Sequence, residues 1–277
     1  MKKIRLGPAG IPLSTKTKNT IEGIKTVKEL GLNAMEIEFV RNIYIKKEAT
    51  EEIKNIANEL DVKLSIHAPY FINLLSENEK TVKRSKELII ECLEIGELIN
   101  AEFVVIHAAY YGKLEKNVAF EKMKEISFEL IDKMKEIGIK NTKIAYETMG
   151  KESQFGDLDE MLKLIKELKS ENLTACFDFA HIFVRNNGKI DYKEILDKIE
   201  KNKIEKLHSH FSGVKYNLKT KKFVDVHLPI NKHPPFEPLA KEILKREIEI
   251  TIISESPILE KDSLKMKKIF EKIGYNF

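Results

Sequence analysis

Six short apolar segments of this chain end on a side chain of the kind that binds metal ions. They are VKLSIH ending at His67, EFVVIH at His107, TKIAYE at Glu147, LTACFD at Asp178, KLHSH at His210 and ITIISE at Glu255. Continuous apolar runs of this length, rich in Val and Ile, read as strands buried on both faces of a parallel sheet. A buried strand gains nothing structural from an imidazole or carboxylate at its last position, because burying such a group without a partner costs free energy. One such ending is chance. Six require a fold that brings the carboxyl ends of many strands to one place.

Helical periodicity fills the intervals. Strands are expected at 4–6, 34–40, 62–67, 103–107, 143–147, 173–178, 204–210 and 249–255. Helices are expected at 17–30, 50–60, 77–99, 115–137, 158–169, 191–199, 237–245 and 261–273, with glycines (Gly31 and Gly138) at two of the stops. A long polar loop is expected over 211–235. Eight strands alternate with eight helices, and no Gly-, Ser- or Pro-rich linker divides the chain. This predicts an α/β single domain over 1–277, a (β/α)8 TIM barrel. A doubly wound open sheet would gather ligands only near its switch point, so convergence from six strands favours the closed barrel.

Composition narrows the class. Hydrophobic residues make up 42% and charged residues 33%, which suits a soluble globular protein. No apolar run approaches the roughly 20 residues needed to span a membrane. The start, MKKIRLGPAG, lacks an apolar signal region, so a cytoplasmic monomer is expected. Cys92 and Cys176 sit in apolar contexts and read as reduced core packers. A net charge of +4 is too mild to name a partner. One glutamine, Gln154, amid abundant Lys, Glu and Ile leans towards a thermophile.

At a barrel mouth the six strand ends would meet, with His181 (DFAHIF) and the pair Asp225 and His227 (DVH) just beyond. Neutral imidazole mixed with carboxylate suits zinc, manganese or iron. Nine ligands are too many for one ion, whereas three ions sharing bridging ligands fit, and clustered metals suit phosphoester hydrolysis. The bland alternative for a strand-end His is a structural hydrogen bond. Yet all seven histidines (67, 107, 181, 208, 210, 227 and 233) fall at the rim or in its loops, none inside an expected helix. His208 shares parity with His210 one layer deeper and is a lesser candidate, and His233 reads as a loop residue. Glu36 and Glu38 point inward as inner-layer polar residues or as partners behind the ligands. The rim loops interleave basic and aromatic residues: Arg41, Asn42 and Tyr44; Tyr70 and Phe71; Tyr110, Tyr111 and Lys113; Lys215, Tyr216, Lys219, Lys221 and Lys222. That mixture suits phosphate contacts and base stacking, against the alternative of ordinary solvated lysine.

These residues resemble the endonuclease IV family of abasic-site DNA nucleases, AP endonuclease family 2 within the xylose-isomerase-like TIM barrels, and the resemblance runs the length of the barrel. HAPYFINL at 67–74 is similar to the family's His-x-x-Tyr-Leu-Ile-Asn-Leu, and AYETMGK to its Leu-Glu-Asn-Thr segment. DFAHIF, DVH and ESP follow its Asp-x-x-His-x-Phe, Asp-x-His and Glu-Thr-Pro. The resemblance implies three zinc ions, with manganese or iron replacing zinc in part. His67, His107 and Glu147 would hold the first. Glu147 would bridge to the second with Asp178, His210 and Glu255, and His181, Asp225 and His227 would hold the third. It implies metal-activated hydroxide cutting double-stranded DNA on the 5′ side of an abasic site, with Glu147 orienting the nucleophile. Arg41 and Asn42 would contact DNA, and Tyr70 and Phe71 would act as a minor-groove wedge. The chain departs from the pattern at Gly7-Pro8-Ala9-Gly10, Tyr44, His107-Ala108-Ala109 and His210-Phe211-Ser212-Gly213. The competing reading is a single-metal sugar isomerase or epimerase, which would use only Glu147, Asp178, His210 and Glu255.

Overall fold

The computed structural model describes residues 3–231 and 233–277. In chain order its elements are β1 (Ile4–Pro8), α1 (Thr20–Glu29), β2 (Ala34–Glu38), α2 (Thr50–Glu59), β3 (Lys63–His67), α3 (Glu79–Ile99), β4 (Phe103–Ile106) and β5 (Ala109–Tyr110). Then come α4 (Lys116–Glu136), β6 (Lys143–Glu147), β7 (Gln154–Phe155), α5 (Leu158–Leu168), β8 (Leu173–Asp178), α6 (Phe179–Arg185) and α7 (Tyr192–Lys201). The chain ends with β9 (Lys206–Phe211), β10 (Gly213–Asn217), β11 (Lys222–Leu228), α8 (Phe236–Arg246), β12 (Glu249–Ser254) and α9 (Glu260–Lys272). Helix starts carry the local chemistry expected of them. Asn19 Oδ1 accepts from Glu22 N at the head of α1, and Asp191 Oδ1 accepts from Glu194 N at the head of α7.

Eight strands form one parallel sheet in the order β1-β12-β9-β8-β6-β4-β3-β2. The sheet curls into a (β/α)8 barrel. Its two edges, β1 and β2, meet along a sparser seam. There Asn33 Oδ1 accepts from Leu6 N at 2.8 Å and Gly10 N donates to Glu36 O at 2.8 Å. Gly7 is what lets the seam close: a Cβ at that position would lie 1.8 Å from Ala34 O.

Alternation along the strands sorts the side chains. On β3, β4 and β6 the even positions Ile66, Ile106 and Ile144 are fully buried against the helices and belong to the main core. Each contributes about 1.5–3 kcal/mol by leaving water. Phe103, Val105, Ala145 and Cys176 form a separate small apolar cluster inside the barrel. The layer above it, at the carboxyl ends of the strands, is polar. Among the described residues no helix is long and apolar enough to cross a membrane.

Two expectations need correction. The stretch expected as a polar loop over 211–235 contains an antiparallel hairpin of β10 and β11, so Asp225 and His227 lie on a strand. Its residues read as loop because both strands are only partly buried and the turn between them is rich in Lys and Asn. The hairpin is pinned by Phe223, whose ring lies 4.7 Å from that of Phe183 and presses on Gly188. Gly188 (φ 87) has no room there for a side chain. Second, His181 sits within the short helix α6. Helix α6 escaped the periodicity because it has seven residues and follows its strand with no loop, Asp178 acting as its cap. In addition, β5 and β7 pair as a small antiparallel ladder outside the barrel sheet.

Candidate metal centre

The strand ends and their immediate followers converge at the carboxyl mouth, and ligand-type atoms gather there in three sets. Within each set the atoms lie within 4.8 Å of one another. The first is His67, His107 and Glu147, the second Glu147, Asp178, His210 and Glu255, and the third His181, Asp225 and His227. Glu147 belongs to two of them. Its Oε2 lies 3.2 Å from His67 Nε2 and 3.0 Å from His107 Nε2. Its Oε1 lies 3.6 Å from His210 Nδ1. His210 Nδ1 is also 3.3 Å from Glu255 Oε1, and His181 Nε2 is 3.1 Å from Asp225 Oδ1.

The imidazoles are held from behind. His67 Nδ1 sits 2.8 Å from Ala68 O, His181 Nδ1 2.9 Å from Thr148 O, and His227 Nδ1 2.7 Å from Ser212 Oγ. Donation of Nδ1–H to those oxygens leaves each Nε2 lone pair facing the mouth, the arrangement a metal-ligating histidine needs. Asp178 Oδ1 accepts from His181 N at 2.6 Å, which ties the second set to the third.

The remaining acceptors test whether cations fit. Glu147 Oε1, Asp178 Oδ2, Glu255 Oε2 and His210 Nδ1 are buried with no hydrogen-bond partner. Each such group costs about 1–3 kcal/mol if left unsatisfied. Several are close to one another without hydrogen-bond alignment, as groups aimed at a common point would be. The titration behaviour agrees. Asp178 is pushed up to about 7, chiefly by burial, with the charges of Glu255 and Glu147 adding to it. Burial works against the charge on Glu147, but the imidazoles of His107 and His210 hold its carboxyl well below the usual range. Burial likewise opposes charge on His67, yet the Glu147 hydrogen bond raises it to about 10. Protons on the imidazoles thus balance the carboxylates, a role that cations of matching number can take over. The donor set of imidazole and carboxylate suits zinc, manganese or iron.

Other expected residues fall as follows. Arg41 and Asn42 are exposed on the loop after β2. Tyr70 and Phe71 are half exposed after β3, their rings 6.0 Å apart and edge-on. His208 is buried below the mouth, and the exposed His233 stacks on Phe183 as a loop residue. Cys92 and Cys176 are buried free thiols. Glu38 was legible only as an inward residue of β2; it reaches the mouth with a buried, unpartnered Oε1, and burial pushes it up to about 8. Ser212 and Thr148, which back two imidazoles, carried no signal in the sequence.

Fold and site define a (β/α)8 barrel with clustered imidazole and carboxylate groups at the carboxyl ends of its strands. Residues 24–271 match the family described as the xylose isomerase-like TIM barrel, and the chain belongs to that family. An uncharacterized protein of Methanocaldococcus jannaschii is 34% identical over 277 residues, covering 96% of this chain and 97% of its own. A protein of Mycoplasma mobile described as a probable endonuclease 4 is 27% identical over 84% of each chain. Among solved structures, endonuclease IV from Thermus thermophilus superposes with a TM-score of 0.70 at 19% identity, over 96% of this chain and 98% of its own. A D-tagatose 3-epimerase-like protein gives 0.74 at 22%, over 98% and 96%. At these identities the two structures speak for the fold alone.

Proposed function

We propose that this protein is a zinc-dependent endonuclease that cleaves the phosphodiester 5′ to abasic sites in double-stranded DNA. The observation that carries this reading is the presence of three ligand sets at one mouth. His67 with His107, and His181 with Asp225 and His227, lie beyond the four residues that a single ion would need. The likeness to proteins described as probable endonuclease 4 supports it.

His67, His107, Glu147, Asp178, His181, His210, Asp225, His227 and Glu255 would hold the ions. Bound there, divalent cations lower the pKa of water and neutralise charge on phosphoryl oxygens. The chain's own groups do the rest. Ala68 O, Thr148 O and Ser212 Oγ fix the direction of three imidazoles. Glu147, fully buried between imidazoles, orients the attacking water. Arg41 and Asn42 meet backbone phosphates from the second loop, and Tyr70 and Phe71 fill the gap left by an extruded nucleotide. The reading is tested with a duplex carrying one synthetic abasic site: a single cut on its 5′ side, lost on chelation and restored by zinc, is expected. No cut at any zinc concentration would overturn it.

A second reading, a single-metal sugar epimerase, draws on the set Glu147, Asp178, His210 and Glu255 and on the superposition with an epimerase-like protein. It leaves five of the nine ligand-type residues without a task.

A further inference from the structure

We propose that Glu36 is the positioning residue for His210, keeping the imidazole proton on Nε2 so that Nδ1 faces Glu147, Asp178 and Glu255. This inference rests on reading the mouth as a metal centre. Glu36, on β2, is fully buried beneath the mouth. Its Oε2 accepts from Ser65 Oγ at 2.7 Å and lies 2.8 Å from His208 Nε2. Its Oε1 lies 2.8 Å from His210 Nε2. The His210 contact has the length of a hydrogen bond without its alignment, as is common for working contacts before a ligand binds.

His210 stands apart from its neighbours. His67 and His227 turn Nδ1 to a neutral oxygen and present Nε2, whereas His181 Nδ1 lies 2.9 Å from both Thr148 O and Glu147 Oε1. His210 is turned the other way: it presents Nδ1 to the mouth and has the Glu36 carboxylate on the side away from it. A neutral imidazole carries one N–H. On the mouth side of His210, Glu255 Oε1 at 3.3 Å and Glu147 Oε1 at 3.6 Å would both draw that proton to Nδ1, where a ligand needs a lone pair. Glu36, closer at 2.8 Å, draws it to Nε2. A carboxylate behind a ligating imidazole also makes it a better donor to the metal. Ser65 and His208 hold the other oxygen, which fixes the plane of the carboxylate and relieves its burial.

Cys176, His208 and His210 also bring ligand atoms within 4.8 Å of one another in this lower layer. Both imidazole–carboxylate separations there are 2.8 Å, the length of a charge-assisted N–H···O bond.

The test uses the zinc-loaded protein labelled with 15N-histidine, together with zinc titrations against a chromophoric chelator. In the wild type, long-range 1H–15N spectra are expected to show His210 protonated on Nε2 alone. Glu36→Gln is expected to weaken one bound zinc by about 10- to 100-fold and leave the others unchanged. Glu36→Asp, which keeps the charge, should fall between the two, and Cys176→Ala should retain every ion. A His210 proton on Nδ1 in the loaded wild type overturns the inference, even if Glu36→Gln fails to fold. Unchanged zinc affinity in Glu36→Gln, or an ion lost in Cys176→Ala, overturns it as well. A wild-type chain that takes up no zinc overturns the metal-centre reading and this inference with it, whereas zinc bound with indifference to Glu36 overturns this inference alone.

Discussion

Glu147 is fully buried and faces four histidines: His67 and His107 on one oxygen, His181 and His210 on the other. Its neighbours are not equally embedded. His227 has a side chain 32% exposed on a hairpin outside the barrel core, so its truncation opens no cavity. His227→Ala is therefore expected to lose one ion and much of the activity, while the metal-free protein melts within about 0.5 kcal/mol of the wild type. An active variant with full metal content would make His227 an ordinary hairpin residue. At the opposite end of the barrel, Asp61 pairs with Lys3 at 2.5 Å and Arg5 at 2.9 Å, and those cations lower it to about 2. Because the folded pKa is depressed, the stabilisation is present above the unfolded value of about 3.9 and is lost as pH falls through about 2. Asp61→Asn should lower the melting temperature at neutral pH, by a small amount since the group is half exposed. The gap should close as pH approaches 2, and a gap that persists there would show that charge is not its source.

The β3–α3 loop carries the element most open to a functional test. Tyr70 and Phe71 project into solvent while Pro69 O accepts from Ile72 N and Leu74 N donates to Ala108 O beneath them. Extruding a nucleotide costs a few kcal/mol, which a wedge offsets in part. Replacing both by Ala is expected to slow cutting of an abasic duplex far more than cutting of an abasic single strand, with metal content unchanged. Equal losses on both substrates would assign the pair to packing. The elements differ in how far the sequence reveals them. The barrel strands were legible because they are short buried runs, several of them rich in Val or Ile, and their ligand endings stood out against that background. The β10–β11 hairpin and α6 were hidden for opposite reasons. The hairpin is only partly buried and lies in a stretch rich in Lys and Asn, so it reads as loop, whereas α6 is seven residues long and follows β8 without a loop. The backing groups Thr148 and Ser212 are invisible in sequence because only the folded chain brings them behind His181 and His227.

The whole barrel works as a device for concentrating buried charge at one end. Ile66, Ile106 and Ile144 pack outward on the helices, and the same strands point His67 and Glu147 inward. An energetically costly cluster of carboxylates and imidazoles is thereby held on a rigid frame. Ions that bind only the folded state stabilise it by mass action, so chelation should lower the melting temperature and zinc restore it, which differential scanning calorimetry reads directly. The number of ions then separates the trinuclear nuclease from the single-metal epimerase on the same fold. Elemental analysis of protein purified without added metal is the most direct measure: about three ions per chain, mostly zinc, is the expected result. A clean stoichiometry of one ion per chain would contradict it.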